Sequence, residues 1–347
     1  MTVFHYIQNP DANAIVADAA EWLKLLAGPT CITVEGRDPQ RTRAVVTLLH
    51  GNEPSGTLAV HRWLRSGIQP AVNMLFIIAS VKAALIAPGY SHRVIPGQRD
   101  LNRCFRKPYD DEPGVLAHSI LEELIKHRPE CVVDMHNTSG SGPAFGVVTH
   151  MDERHDALTS LFTQRLVVTS LRLGALMEIS EHLFPTVTIE CGGRQDVEAH
   201  ELAWEGLLRY SKEDNVLAPQ DTDWGMEVLN NPVRLELAEG CRLAYGEQAR
   251  PDVDLILRQD IEHLNFGLVE KATFLGWIGN KGLTIFSAIN SKNDCVLDEL
   301  LEVRDGRLYT AKSLKLFMIT TSAEIAQMDC LLYAVLDDGK EIGLISG

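Results

Sequence analysis

The chain has 347 residues, enough for about two domains at the usual size, with no need of disulfide or metal staples to fold. Lys and Arg number 32 against 47 Asp and Glu, a net charge of −15, which argues against a non-specific nucleic-acid binder and against attachment to an acidic membrane surface. Hydrophobic residues at 45% and charged residues at 23% exclude wholesale disorder.

In chain order, Ala44–Leu49 is a continuous apolar run that reads as a buried strand ending at His50-Gly51. Thr57–Leu64 has helical spacing, and Asn73–Ala79 reads as a second buried strand. Val115–His127 carries apolar residues at 116, 120, 121, 124 and 125, an amphipathic helix stopped near Pro129. Cys131–Met135 is a third strand, running into His136-Asn137, and Thr186–Cys191 a fourth, stopped by Gly192-Gly193. Asp196 suits the N-cap of a helix reaching Tyr210. Strands alternating with helices predict an α/β sheet covered on both faces. The pattern changes after about residue 213. A stretch rich in Asp, Asn, Pro and Gly, Lys212–Pro251, leads to short β-type segments such as Leu283–Ala288, Leu314–Thr320 and Cys330–Leu336. The expected division is therefore an α/β domain over 1–225 and a smaller, mostly β domain over 226–347.

Seven scattered cysteines, never spaced as C-x-x-C, read as small buried hydrophobes in a reducing compartment. The first residues lack the basic and apolar regions of a signal peptide, and Met74–Ala79, the longest apolar stretch, is far too short to span a bilayer. A cytoplasmic protein is expected, with a homo-oligomer left open.

Polar residues that can carry chemistry fall just past strand ends, where open α/β sheets form their sites. His50 and Glu53 lie three apart across a strand-to-helix turn and can chelate one metal from one side. Read alone, a turn-capping His and a first-turn Glu favoured by the helix dipole fit as well. Asp134 and His136 share a strand face, so Asp134 can accept a hydrogen bond from the imidazole and fix its tautomer. Two His and one Glu form a three-ligand set for Zn²⁺ with a position open to water. Glu190 ends an apolar strand, where a carboxylate is expensive to bury without a task or a partner. Near a metal-bound water it can serve as general base and then general acid; a salt-bridged strand-end Glu is the plainer alternative. Asn102-Arg103 can clamp a substrate carboxylate, or sit in a solvated loop. Gly140-Ser141-Gly142 lacks a nucleophile-elbow pattern and reads as a flexible loop.

His50-x-x-Glu53, Asp100-Leu101-Asn102-Arg103, Asp134-x-His136-Asn137 and the Glu190 strand end stand in the order found in one family. The sequence resembles the succinylglutamate desuccinylase/aspartoacylase family, a branch of the zinc-carboxypeptidase-like fold, over roughly residues 40–215 and loosely over the β-type tail. The resemblance implies a mixed-sheet α/β catalytic domain whose smaller β domain limits access to the cleft. It implies one Zn²⁺ per chain on His50, Glu53 and His136, with Asp134 behind His136 and Glu190 as general base. It implies that Asn102 and Arg103 hold the substrate carboxylate. An Arg that polarises the scissile carbonyl is expected shortly before them; Arg93 is preferred over Arg99. The implied activity is hydrolysis of the amide bond of a small anionic N-acyl amino acid. A zinc carboxypeptidase acting on small peptides and a non-catalytic zinc-binding protein are the rival readings.

Overall fold

The computed structural model describes residues 3–218, 225–328 and 330–336. The first part is built on nine strands: β1 (His5–Gln8), β2 (Thr30–Val34), β3 (Asp38–Thr47), β4 (Val72–Ile78), β5 (Val132–Thr138), β6 (Phe145–Val148), β7 (Arg165–Val168), β8 (Thr186–Gly193) and β9 (Glu227–Asn230). Their order is β1-β2-β4-β3-β5-β8-β6-β7-β9. The sheet is mixed: β4, β3, β5 and β8 run parallel at its centre, while β2 and β6 are antiparallel to β4 and β8. The α/β class expected from the alternating pattern is the class observed.

The central strands are apolar on both faces because helices cover both. Ala44, Val45 and Val46 of β3 are fully buried, with even and odd positions facing different cores. One face packs on α1 (Ala19–Leu26), α2 (Ser55–Ser66), the four-residue α3 (Val81–Ala84), α5 (Glu153–Ser160) and α6 (Val197–Lys212), through Trp63, Phe76, Leu158 and Leu207 among others. The other packs on α4 (Glu112–His127) and a 3-10 turn at Leu176–Glu181, through Leu75, Ile120 and Leu124. Asp111 starts α4 by accepting the Gly114 N–H at 2.8 Å. Asp196 occupies the cap position of α6, but its carboxylate takes Ser141 Oγ at 2.8 Å and the Gly193 N–H rather than a helix N–H.

Periodicity alone leaves several short elements unmarked. β6 and β7 have four residues each, and β1, α1 and β2 precede the first long apolar run. The mostly apolar 167–176 stretch splits between the end of β7 and a loop beside the cleft. β9 lies beyond residue 225 yet pairs with β7, so the large sheet takes its last strand from the segment that leads into the second part.

That second part holds two five-stranded sheets, built from strands that begin at β10 (Val233–Leu237) and run through β18 (Leu314–Phe317) and β19 (Leu332–Leu336). They enclose one core that includes Leu235, Leu257, Leu275, Phe286 and Leu316. It is the expected β-rich domain. Residues 329 and 337–347 of its predicted span, and Trp224 in the segment before it, lie outside the described residues. Among the described residues, no helix is long and apolar enough to cross a membrane. Among the described residues no disulfide is formed; Cys31, Cys104, Cys131, Cys191 and Cys330 are buried, Cys241 is half-buried, and Cys295 is exposed, against the expectation that all would be core.

Candidate active site

The carboxyl ends of β3, β5 and β8 lie side by side. β5 pairs with β3 through Met135 opposite Thr47, and with β8 through His136 opposite Glu190. The chain leaves β3 through Leu48 and Leu49 and turns at His50-Gly51 before entering α2. Gly51 is required there: a Cβ would come within 2.7 Å of the His92 carbonyl oxygen and 2.6 Å of Ala83 Cβ. Its N–H donates to the Arg93 carbonyl at 2.8 Å, which stitches the Arg93 loop to the turn.

His50, Glu53 and His136 are buried, and one ligand atom from each lies within 4.8 Å of the others. Glu53 is the hub. Its Oε1 is 2.8 Å from His50 Nδ1 and its Oε2 is 2.7 Å from His136 Nδ1. The second nitrogen of each ring also faces a carboxylate, His50 Nε2 at 2.9 Å from Asp100 Oδ1 and His136 Nε2 at 2.9 Å from Asp134 Oδ2. Thr188 Oγ1 donates to the same Asp134 oxygen. Asp134 stands where the strand alternation puts it, on the His136 face. Asp100 plays the matching part for His50. Its role was not read from the sequence, although a single acidic residue between Arg99 and Arg103 was a visible signal.

The charge balance of this group points to a cation. A neutral imidazole has one N–H, so it can satisfy only one of its two carboxylates. The other nitrogen then turns a lone pair toward an acceptor at hydrogen-bond distance. The arrangement needs positive charge between the Nδ1 atoms and Glu53: a proton on each ring, or one metal ion. Burial opposes charging both rings, yet Asp134 and Glu53 hold His136 well above its ordinary pKa, and Asp100 and Glu53 raise His50. Burial would likewise raise Glu53, but the two imidazoles outweigh it and hold its carboxyl below the ordinary range. Two imidazoles and a carboxylate, each ring backed by its own carboxylate, are a donor set that fits a divalent metal.

Glu190, in the last half of β8, lies beside this group. Its Oε2 is shut off from solvent and accepts no hydrogen bond from the described residues. Burial pushes its carboxyl up to about 7. Arg93 lines the same cleft, with its guanidinium 3.0 Å from Asp100 Oδ2 and 3.5 Å from Glu53 Oε1. Arg99 lies outside it, exposed and paired bidentately with Asp111 at 2.6 and 2.7 Å. Asn102 and Arg103 line the cleft too. Asn102 Oδ1 also accepts the Leu176 N–H at 2.9 Å, and Arg103 donates to the Asn102 carbonyl oxygen. The structure thus brings His50, Glu53, Arg93, Asn102, Arg103, His136 and Glu190 to one cleft, with Asp134 and Asp100 behind it.

Two further features were not legible in the sequence. Asn137 binds Ser55 and the Gly192 carbonyl through its side chain, and Ser55 Oγ is 2.7 Å from His200 Nδ1, which ties the His136 strand to the start of α2. The 140–142 segment is not a free loop. Gly140 lies against the Ile319 backbone, where a Cβ would meet the carbonyl oxygen at 2.1 Å. Thr320 Oγ1 donates to the Ser139 carbonyl, Asn265 to the Ser141 carbonyl, and the Ser141 N–H to Glu262. The β domain clamps this segment, and with Phe317, Met318 and Tyr333 it forms part of the cleft wall.

An α/β domain with this His–Glu–His group at the parallel strand ends defines the class of protein. Residues 39–203 match the model of the succinylglutamate desuccinylase/aspartoacylase catalytic domain. The matched segment holds all the cleft residues from His50 to Glu190. Solved structures share the fold. A succinylglutamate desuccinylase/aspartoacylase from Rhodobacter sphaeroides is 16% identical with a TM-score of 0.52, covering 84% of this chain and 83% of its own. A succinylglutamate desuccinylase from Vibrio cholerae is 14% identical with a TM-score of 0.53, covering 85% and 99%. A product-bound ectoine utilization protein from Ruegeria pomeroyi is 18% identical with a TM-score of 0.51, covering 76% and 86%. No curated protein matches the chain.

Proposed function

We propose that the protein is a zinc-dependent hydrolase that cleaves the amide bond of a small N-acyl amino acid. The observation that carries this reading is the Glu53 hub: two buried imidazoles turned on one carboxylate, with Glu190 beside them, whose Oε2 is buried without a hydrogen bond from the described residues. His50 Nδ1, His136 Nδ1 and Glu53 would hold the metal, with Asp134 and Asp100 orienting the rings. A bound Zn²⁺ supplies a water of lowered pKa and a Lewis acid for the carbonyl oxygen.

The chain's own groups do the remaining work. Glu190 takes the proton of the attacking water and passes it to the leaving amine. A carboxyl whose pKa lies near neutrality suits both transfers. Arg93 sets its guanidinium toward the carbonyl oxygen as charge builds there; one such donor is typically worth about 3–4 kcal/mol. Arg103 and Asn102 hold the amino-acid carboxylate and so orient the amide. The β domain restricts the cleft to small substrates, since its side chains form one wall. The protein acts in the cytoplasm, without nucleic-acid or membrane partners.

The test is stoichiometric metal analysis with a hydrolysis screen of N-acyl amino acids on the wild type and Glu190→Gln. One Zn²⁺ per chain is expected, with turnover that Glu190→Gln lowers by several orders of magnitude while metal is retained. Absence of a bound divalent metal, or full activity in Glu190→Gln, would overturn the mechanism.

A further inference from the structure

The cleft that holds the metal-ligand group also has an apolar side, a chamber whose side chains the proposed chemistry does not use. Val147, Leu171, Leu173, Met177, Met318 and Tyr333 face it, each only half-buried. The first four come from β6 and from the 171–177 stretch of the catalytic domain, the last two from the β domain. Phe145 and Phe317 line it as well, with rings 5.8 Å apart, and Phe317 stacks on Tyr333 at 5.5 Å, so the wall is a packed aromatic layer. Half-covered apolar side chains on a firm wall gain from an apolar ligand that displaces water.

Charge in the lining says what the ligand lacks. Among the described residues, the arginines and lysines in the lining are Arg93 and Arg103, the two imidazoles being taken up by the metal-ligand group. Arg93 is engaged by Asp100 and Glu53. Arg103 serves one substrate carboxylate. The acid on the far wall is Glu178, whose Oε1 gathers the N–H groups of Leu173, Gly174 and Ala175. A second substrate carboxylate would lose water among apolar side chains and near a carboxylate, which is costly.

Met318 is built into place. Its φ is +59°, a left-handed conformation that costs a non-glycine residue free energy. The next residue is held on both sides, because Asn265 Oδ1 accepts the Ile319 N–H at 2.9 Å and Asn265 Nδ2 donates to the Ile319 carbonyl at 3.0 Å. A strained backbone, fixed by a side chain that brackets it, presents Met318 to the chamber.

We infer that the substrate has one carboxylate and one apolar arm, and that the arm lies in this chamber against Met318. The inference rests on the deacylase reading and narrows it: a dicarboxylic acyl amino acid is a poor fit.

The experiment pairs binding with turnover. Calorimetry on the zinc-loaded Glu190→Gln protein measures the Kd of N-hexanoylglycine, N-acetylleucine and N-succinylglutamate. An apolar-arm ligand is expected to bind at least tenfold more tightly than N-succinylglutamate; whichever of the two wins shows whether the arm is the acyl group or the side chain. Met318→Ala in that background should weaken the winning ligand about tenfold while the melting temperature stays near that of its parent. Met318→Leu, similar in volume, should restore most of the affinity even if the alanine variant fails to fold. Tighter binding of N-succinylglutamate, or an unchanged Kd in folded Met318→Ala, overturns the inference. The two readings fail separately. Preferred binding of apolar arms by a wild type that hydrolyses no N-acyl amino acid removes the deacylase and keeps the chamber. Fastest hydrolysis of N-succinylglutamate removes the chamber and keeps the deacylase.

Discussion

Glu190 carries an energetic cost that can be measured apart from catalysis. In the metal-free protein its carboxyl is raised to about 7 by burial, above the ordinary value near 4.5. The folded state therefore holds this proton more tightly than the unfolded chain does. Its contribution to stability is complete below about pH 4.5 and is lost as the pH rises through 7. Glu190→Gln, neutral at every pH, should make the metal-free protein more stable at pH 8 by roughly 2–3 kcal/mol, and leave it unchanged near pH 4.5. Urea titrations at the two pH values check this; equal effects at both would mean the carboxyl is solvated. The arginines separate as sharply. Arg93→Ala should lower kcat about 100-fold with zinc retained, whereas Arg99→Ala, tied to Asp111 away from the cleft, should leave turnover within about twofold. Steady-state kinetics of both variants decide which guanidinium faces the carbonyl.

At the scale of elements, the site depends on the central strands keeping their register, and a buried cation guards the opposite end of β3. Arg43 is fully buried. It donates to Glu130 at 2.6 Å, to the Tyr210 and Glu213 carbonyls at 2.7 Å each, and to the Asp214 carbonyl at 3.1 Å. It thus ties β3 to the end of α6 and to Glu130, two residues before β5. Arg43→Ala leaves those acceptors unpaired in the interior and should cost about 3–5 kcal/mol. Chemical denaturation measures it; a loss under 1 kcal/mol would show that water replaces the guanidinium. The long elements were legible in sequence because burial on both faces writes continuous apolar runs, as in Ala44–Leu49 and Asn73–Ala79. The short β6 and β7 were not. Four residues carry too little periodicity, and their place in the sheet comes from pairing with β8 and β9.

For the whole molecule, metal and fold should be linked. His50 and Glu53 lie in one turn, but His136 comes from another strand, so the ligand set exists only when β3 and β5 are paired. A metal that binds this set and not the unfolded chain stabilises the native state by about 2.7 kcal/mol at 100 times its Kd. Zinc should raise the melting temperature by roughly 5 °C, and a chelator should reverse it. Glu53→Ala should abolish the shift in calorimetry; an equal shift in that variant would place the metal elsewhere. The β domain belongs to this scale as well, since it holds the 139–141 backbone and supplies Met318 and Tyr333 to the cleft.

The sequence by itself determined the α/β class and placed His50, Glu53, His136 and Glu190 at or just past the ends of its central strands. Local rules give this much: an apolar run marks a buried strand, and alternation puts Asp134 with His136; reading these residues as one site took the order of four motifs and the resemblance it carries. Tertiary structure alone decided the rest. That Asp100 rather than solvent meets His50, that Arg93 enters the cleft while Arg99 leaves it, and that a loop of glycines is clamped by a distant domain all depend on contacts between residues far apart in the chain. The opening charge of −15 shows the same division. Composition counts charges, whereas only the fold gathers Arg93 and Arg103 at one mouth and lines the chamber behind them with apolar side chains.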